Sequence, residues 1–366
     1  MLATVREGWG RSQADLARAT GLSPAAVSGI VARLVARGEV SCTTEVSRGR
    51  RVRVVSAAAG SEVFAGVDIG RSHARLLVGD GSGRVLEERE QPLAPGHRPT
   101  TTLATVRDQL EEMVAGSAGG RVLRAIGVGL PGPLDREHGA VVGGTILPGW
   151  VGVPVTTALA PLAADVRVEN DANLGALASA AQTGARDLVH VKAGSGLGAG
   201  LVVGGRLHPG AGGLAGELGH VAVSDAASAP MCRCGRRGCL ETYASTEVLA
   251  RTLSTVLDRR VPLSRVVAMG ASADPIVRRV FDDSAEAVGR GLGILCTLLD
   301  PGLVVLGGPL AGLGHRWLQP VRAGFARSAL PAVVSHTSIQ LSPLGERAEA
   351  LGALQLARTS VVAAAD

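Results

Sequence analysis

The chain has 366 residues, 46% of them hydrophobic and only 2% aromatic, with a formal net charge of +5. That length allows two or three domains with sizeable cores. No apolar run approaches the ~20 residues of a membrane span, and so few rings exclude a stacking platform for single-stranded nucleic acid. Residues 1–60 hold nine arginines against four acids, whereas the other 306 residues balance 28 bases with 28 acids. A positive excess confined to the first sixth of a chain marks a nucleic-acid-binding module joined to a neutral one. Arg6, Glu7 and Arg11 leave no room for the apolar stretch of a signal peptide, and cysteine is sparse, so a reducing cytoplasm is the expected location. Lys192 is the only lysine, a compositional habit without functional meaning.

Residues 12–19 read as a helix with Ser12 as N-cap, following a first helix expected within residues 1–11. Thr20-Gly21-Leu22 is a short turn. Ser23 then caps a second helix with Pro24 at its first position, and Val27, Ile30, Val31, Leu34 and Val35 are expected on one apolar face until Gly38 ends it. Two helices joined by a tight turn are the helix-turn-helix signature, and Ser23, Ala25, Ala26, Ser28 and Gly29 would face the major groove. Residues 40–44 and 52–56 read as two strands around an arginine-rich turn, a wing whose Arg48, Arg50, Arg51 and Arg53 would contact phosphates or a narrow minor groove. The bland alternative is an ordinary amphipathic helix pair.

A linker at residues 57–62 separates residues 1–56 from a different architecture over residues 63–366. Strands are expected at 63–68, 74–79 and 84–89, with Gly70 opening the first turn. The pattern returns about 125 residues later as a strand, the turn GSGLGAG at 194–200 and another strand, which suggests an internal duplication in a two-lobed fold. Such turns offer backbone N–H groups to phosphate oxygens. Residues 101–115, 247–257, 275–299 and 348–357 read as helices, residues 122–129 as a buried parallel strand and residues 208–231 as mostly loop. Residues 302–308 form a core strand ending in Gly307-Gly308, at the edge where α/β folds place ligands.

Two constellations carry chemistry. At 166–177 a strand ends at Asn170-Asp171 and a helix follows. Asp171 is either a base for a substrate hydroxyl or simply the helix N-cap. Residues 217–241 gather His220, Cys232, Cys234 and Cys239 between Glu217 and Glu241. Three thiols and an imidazole make a complete tetrahedral ligand set for a closed structural zinc, and Gly235 and Gly238 allow the tight turns it needs. A disulfide with a spare thiol is the alternative. Cys42 and Cys296 are expected to be buried small residues.

These motifs together resemble the ROK group of bacterial repressors and sugar kinases, within the actin-like ATPase and sugar kinase fold. The resemblance rests on Asp68-Ile69-Gly70, GLPGPLD with Pro131-Gly132-Pro133, Asn170-Asp171-Ala172-Asn173, GSGLGAG, Glu217-Leu218-Gly219-His220 and CRCGRRGCLE at 232–241. It implies sugar contacts from Asn170, Asp171, Glu217, His220 and Glu241, with Asp171 as base where a kinase is active. It also implies zinc on His220, Cys232, Cys234 and Cys239. Magnesium and ATP phosphates would be faced by Asp68, Gly70 and the loop with Gly194, Ser195, Gly196 and Gly198, beside Gly307 and Gly308. The chain departs from the kinase pattern DIGGT by reading Asp68-Ile69-Gly70-Arg71-Ser72, and it carries a winged helix, as repressor members do. The expectation is therefore a winged helix-turn-helix joined to a two-lobed kinase-like module. It would be a cytoplasmic homodimer or homotetramer that binds a palindromic operator and responds to a sugar or sugar phosphate. An active ATP-dependent hexose kinase is the alternative, and a protein-binding scaffold a third.

Overall fold

Ser12 ends a two-residue strand, β1 (Arg11–Ser12), and caps helix α1 (Gln13–Thr20). Its hydroxyl accepts from the Asp15 N–H at 3.1 Å while the Asp15 carboxylate accepts from the Ser12 N–H at 3.2 Å, a reciprocal capping box. Ser23 caps helix α2 (Pro24–Ala36) through the Ala26 N–H, and the chain turns by 112° between the two helices, as in helix-turn-helix pairs. Leu16, Val27, Val31 and Leu34 pack with Val40 and Val55. Val35, expected on that face, is exposed; eight residues after Val27, it has rotated off the apolar stripe. Strands β2 (Val40–Ser47) and β3 (Arg50–Ala57) form the antiparallel ribbon, longer than expected, with β1 on its far edge. The structure is a computed structural model and describes residues 1, 4–5, 11–47, 50–58, 60, 62–117, 119–136, 138–143 and 146–363. Residues 4–5 are helical; the remainder of the expected first helix, apart from Arg11, and Arg48 at the wing turn lie outside the described residues.

The chain divides into two units, Met1–Gly184 with Glu349–Asp366, and Ala185–Ala348. After β3 the first unit continues with β4 (Glu62–Ile69), β5 (His73–Asp80), β6 (Val85–Pro92) and helix α3 (Pro99–Ser117). Strand β7 (Val122–Leu130) leads to the short hairpin β8 (Leu134–Asp135) and β9 (Ala140–Val141), then to α4 (Val155–Leu159), β10 (Asp165–Asn170) and α5 (Asp171–Thr183). The connection between β3 and β4 is shorter than the expected linker, because β3 runs on to Ala57 and β4 starts at Glu62.

The sheet order is β10-β7-β4-β5-β6, with β10, β7 and β4 parallel and β4 to β6 an antiparallel meander. Asp68, Gly129 and Glu169 share one row of this register, so the C-terminal ends of the three parallel strands lie along one edge. Leu103, Val106, Leu110 and Met113 of α3 cover one side. The C-terminal helix (Ala348–Ala363) meets the sheet at Gly66 and Gly127, where a Cβ would stand 2.3 Å from the Ala350 carbonyl oxygen and 2.0 Å from that of Ala353. Only glycine admits that approach.

The second unit holds β11 (Leu188–Ala193), β12 (Leu197–Val203), β13 (Arg206–Leu207), helices α6 (Glu241–Ala244), α7 (Thr246–Val256), α8 (Leu263–Met269) and α9 (Pro275–Leu299), β14 (Leu303–Gly307), α10 (His315–Ser328), α11 (Pro331–His336) and β15 (Ser338–Leu341). The sheet order is β13-β12-β11-β14-β15, with β11, β14 and β15 parallel. The glycine turn is tighter than the expected 194–200. Leu197, Ala199 and Leu201 alternate into the core, so β12 begins at Leu197 and Gly198 pairs with Lys192 inside the ladder. Only Gly194, Ser195 and Gly196 remain in the turn. Residues 208–231 are mostly irregular, as expected, with one 3-10 turn (Leu218–His220) and isolated bridges at Ala222 and Met231.

Candidate functional site

The first unit builds its polar centre at the end of β10. Asn170, and not Asp171, caps α5: its Oδ1 accepts from the Ala172 N–H at 2.9 Å and the Asn173 N–H at 3.3 Å. Its Nδ2 donates to the Gly132 carbonyl at 3.0 Å. This fixes which way the amide points, since oxygen faces donors and nitrogen faces an acceptor. One Nδ2 hydrogen is left for other acceptors. Asp171 follows as the first helical residue, buried, with Oδ1 accepting from the Ala172 N–H at 2.8 Å.

Beneath this pair lies Glu169, also buried. Its Oε1 accepts from the Asn170 N–H at 2.8 Å and from Asn173 Nδ2 at 2.9 Å, and its Oε2 is paired with the Arg136 guanidinium. Glu169 and Arg136 carry no role in the sequence expectations, and Asn173 enters them only as part of the Asn170-Asp171-Ala172-Asn173 motif. The carboxylate next to Asn170-Asp171 at a strand end is the one local signal that points to them.

At the end of β4, Asp68 is almost fully buried and its Oδ2 lies 3.1 Å from His73 Nε2. The His73 ring packs directly against Gly70, where an added Cβ would meet His73 Cε1 at 2.5 Å. His97 reaches back from the loop after β6, with Nε2 3.1 Å from the Gly70 carbonyl and Nδ1 2.9 Å from Thr102 Oγ1. A carbonyl only accepts, so Nε2 carries the proton and Nδ1 accepts from the Thr102 hydroxyl. The turn at Gly70 is thus held by two histidines that motif matching overlooked. A family-type magnesium and phosphate site would need Asp68 and the space His73 fills, so these residues do not fit that ligand as they stand.

In the second unit the turn at Gly194, Ser195 and Gly196 is tied to Glu241, whose Oε2 accepts from the Leu197 N–H at 3.2 Å. The Thr246 N–H donates to the Gly194 carbonyl at 2.9 Å. Gly194 also abuts the end of β14, since a Cβ there would stand 3.2 Å from Pro309 Cδ, and Gly308 takes φ +77°. Gly219 packs against Glu241, with a Cβ position 3.5 Å from that of Glu241, which brings the 3-10 turn carrying His220 alongside Glu241. Glu217 Oε2 lies 3.8 Å from His220 Nε2. Glu217, His220 and Glu241 therefore share one region of this unit.

The metal-ligating atoms of His220, Cys232, Cys234 and Cys239 all lie within 4.8 Å of one another. His220 Nδ1 faces Cys232 Sγ at 3.6 Å and Cys234 Sγ faces Cys239 Sγ at 3.7 Å. Metal–sulfur bonds of ~2.3 Å in a tetrahedron set neighbouring sulfurs about 3.8 Å apart, so the donor set fits a tetrahedral cation. No disulfide joins these cysteines; Cys42 is half-buried and Cys296 fully buried, both as free thiols. Gly235 and Gly238 take φ +85° and +74°, the left-handed turns that close the knuckle. Burial pushes the Cys239 thiol up to about 12 and raises Cys232 as well, while the backbone N–H of Arg236 lowers Cys234. Two buried thiols that resist ionising gain their thiolate form when a cation takes their charge.

In the winged helix, Ser23, Ala25, Ala26, Ser28 and Gly29 are all exposed on α2, as expected of a groove-facing surface. Arg53 is exposed on β3, and the same strand carries Arg50 and Arg51.

The ROK family profile matches residues 64–360, and the MarR family profile matches residues 1–51. The chain is 26% identical to a xylose repressor of Caldicellulosiruptor bescii over 94% of this chain and 91% of that one. A ROK hexokinase from Thermus thermophilus, solved by crystallography, superposes with TM-score 0.67 at 31% identity, covering 82% of this chain and 99% of that one. A ROK family transcriptional regulator described as a homolog of the E. coli MLC protein superposes with TM-score 0.74 at 23% identity over 95% of this chain and 92% of its own. That alignment establishes the shared fold across both parts. The chain therefore belongs to the ROK family, joining a MarR-like winged helix to the family's actin-like sugar kinase fold.

Proposed function

We propose that the chain is a sugar-responsive transcriptional regulator of the cytoplasm, acting as a repressor. The observation that carries the reading is the joining of two parts in one chain. A helix-turn-helix with an exposed face of small residues and an arginine-bearing wing precedes a ROK module, and the similarity to the xylose repressor runs through both. In this reading a homodimer or homotetramer sets two winged helices on a palindromic operator. The sugar or sugar phosphate is bound by Asn170, Asp171, Glu217, His220 and Glu241. Asn170 offers an N–H donor and Asp171 an acceptor, a pairing suited to hydroxyl groups. Zinc on His220, Cys232, Cys234 and Cys239 would hold the imidazole and both flanking glutamates in one arrangement. Sugar binding changes operator affinity only to the extent that it favours one of the two states.

The test is operator affinity with and without a panel of pentoses and hexoses, read by fluorescence anisotropy. The expected result is a sugar-dependent change of roughly 5- to 150-fold, lost in Asp171→Ala while sugar-free DNA binding persists. Arg50→Ala and Arg51→Ala should each reduce the salt slope of binding by about one. Unchanged slopes would remove the wing from the interface. The second reading, an ATP-dependent hexose kinase with Asp171 as base, is favoured by the similarity to the Thermus thermophilus hexokinase. Hexose-dependent ATP turnover that vanishes in Asp171→Ala, with operator affinity indifferent to sugar, would establish it in place of the first.

A further inference from the structure

We propose that Glu169 is the positioning residue of the sugar site and that Arg136 is the clamp that holds it, an inference resting on the assignment of Asn170 and Asp171 to sugar binding. Glu169 is the penultimate residue of β10, and its buried carboxylate accepts donors from three directions. The Asn170 N–H at 2.8 Å fixes the backbone just before Asp171. Asn173 Nδ2 at 2.9 Å fixes the first turn of the helix just after it. Arg136, 39% exposed, supplies the opposing charge from the β8–β9 hairpin. A buried carboxylate with that charge removed has every reason to reorient toward water. Reorientation would release the Asn170 N–H and Asn173 together.

The clamp and the site also share a second tie. Gly132, four residues before Arg136, accepts from Asn170 Nδ2 at 3.0 Å. The strand end and residues 132–136 thus grip each other at two points, one through the side chain that would touch sugar and one through the carboxylate beneath it. Charge-assisted hydrogen bonds are the stronger kind, so the Arg136 contact dominates the pair. Sequence separation of 33 residues between Arg136 and Glu169 hides this arrangement from any local motif.

The experiment uses the full-length protein and the variants Arg136→Ala, Arg136→Lys, Glu169→Gln and the double variant Arg136→Ala with Glu169→Gln. Affinity for a panel of pentoses and hexoses is measured by calorimetry, and the sugar-free melting temperature alongside. Each alanine or glutamine change should weaken sugar binding about tenfold, the factor that one lost charge-assisted contact corresponds to. The double variant should be no weaker than either single one, because both remove the same pair, and Arg136→Lys should recover part of the loss. Wild-type affinity in Arg136→Ala, a lowered melting temperature with unchanged affinity, or losses that multiply in the double variant would each overturn the proposal. If the wild type binds no sugar in the panel, the sugar reading itself falls, and amide hydrogen exchange decides the clamp. Faster exchange at the Asn170 amide in Arg136→Ala would support it, and unchanged exchange there would overturn it.

Discussion

The glycine turns of the two units answer the same sequence expectation with different supports. The turn at Gly70 is packed from below by His73, which engages the buried Asp68, and is held by His97 through the Gly70 carbonyl. The turn at Gly194 to Gly196 has Pro309 against Gly194 and is tied to Glu241 and to the start of α7. One turn is therefore anchored by imidazoles from β5 and the loop after β6, and the other by the segment next to the His220, Cys232, Cys234 and Cys239 donor set. The difference teaches that a similar strand, turn and strand pattern does not fix the chemistry beside it. What fills the space beside a turn decides what it can bind, and that filler comes from elsewhere in the chain.

The largest effect should come from the anchor of the second turn. Cys239 is buried, adjacent to Leu240 and Glu241, and part of the tetrahedral donor set. Cys239→Ser should cost the second unit several kcal/mol, because the free energy of binding a structural metal is folding free energy. Calorimetric unfolding should show that unit melting early, and a chelator should bring the wild type toward the same curve. In the milder Cys234→Ser, at the exposed ligand, the sugar response should fade while the fold persists. Full sugar sensitivity in that variant would detach Glu217 and Glu241 from the metal and break the contrast between the turns.

A smaller effect separates the histidines. His190, under the end of β14 beside Gly307, is fully buried, and burial, assisted by the Lys192 charge, depresses it from 6.5 to about 3. Its protonated form is penalised only in the folded state. Above pH 6.5 neither state holds the proton and nothing changes. As pH falls from 6.5 toward 3, the unfolded chain takes up a proton that the folded chain refuses, so stability is lost. The slope is about 1.4 kcal/mol per pH unit, hence roughly 2 kcal/mol by pH 5. Denaturant unfolding at pH 7.5 and pH 5 should show that difference shrink in His190→Gln. Equal pH dependence in the wild type and His190→Gln would refute the assignment.

Much of this was legible because its signals are local. Ser12 and Ser23 announce helix starts, alternation announces strands, and three cysteines within eight residues of one another announce a metal knuckle. The Asn170 cap was one residue from where residue type alone could have set it, because Asn and Asp cap equally well and only the strand end decides between them. What escaped was long-range or weakly periodic. The clamp of Arg136 on Glu169 and the grip of His97 on Gly70 join residues 33 and 27 positions apart. Strand β15 has only four residues, too few to show a period, and helix α10 carries Pro320 in its interior, which argues against a helix although Trp317, Leu318, Val321 and Phe325 fall at helical spacing. Gly198 reads as loop by residue type, although its apolar neighbours alternate as a strand should.

The smallest expected effect bears most directly on what the first turn has become. The family resemblance assigns Asp68 to a metal and phosphates, yet its carboxylate is engaged by His73 and the space beside Gly70 is filled by that ring. Magnesium with ATP would have to displace the imidazole, giving up that hydrogen bond and its packing, before gaining any contact of its own. The wild type should therefore show no magnesium-dependent melting shift with ATP. His73→Ala removes both obstacles and should bring the dissociation constant into the millimolar range. At tenfold excess over that constant this corresponds to roughly 1.4 kcal/mol of stabilisation, and it should vanish again in His73→Ala with Asp68→Asn. A clear magnesium-dependent shift in the wild type, abolished by Asp68→Asn alone, would mean that the first turn still takes a nucleotide and would strengthen the kinase reading at the expense of the regulator.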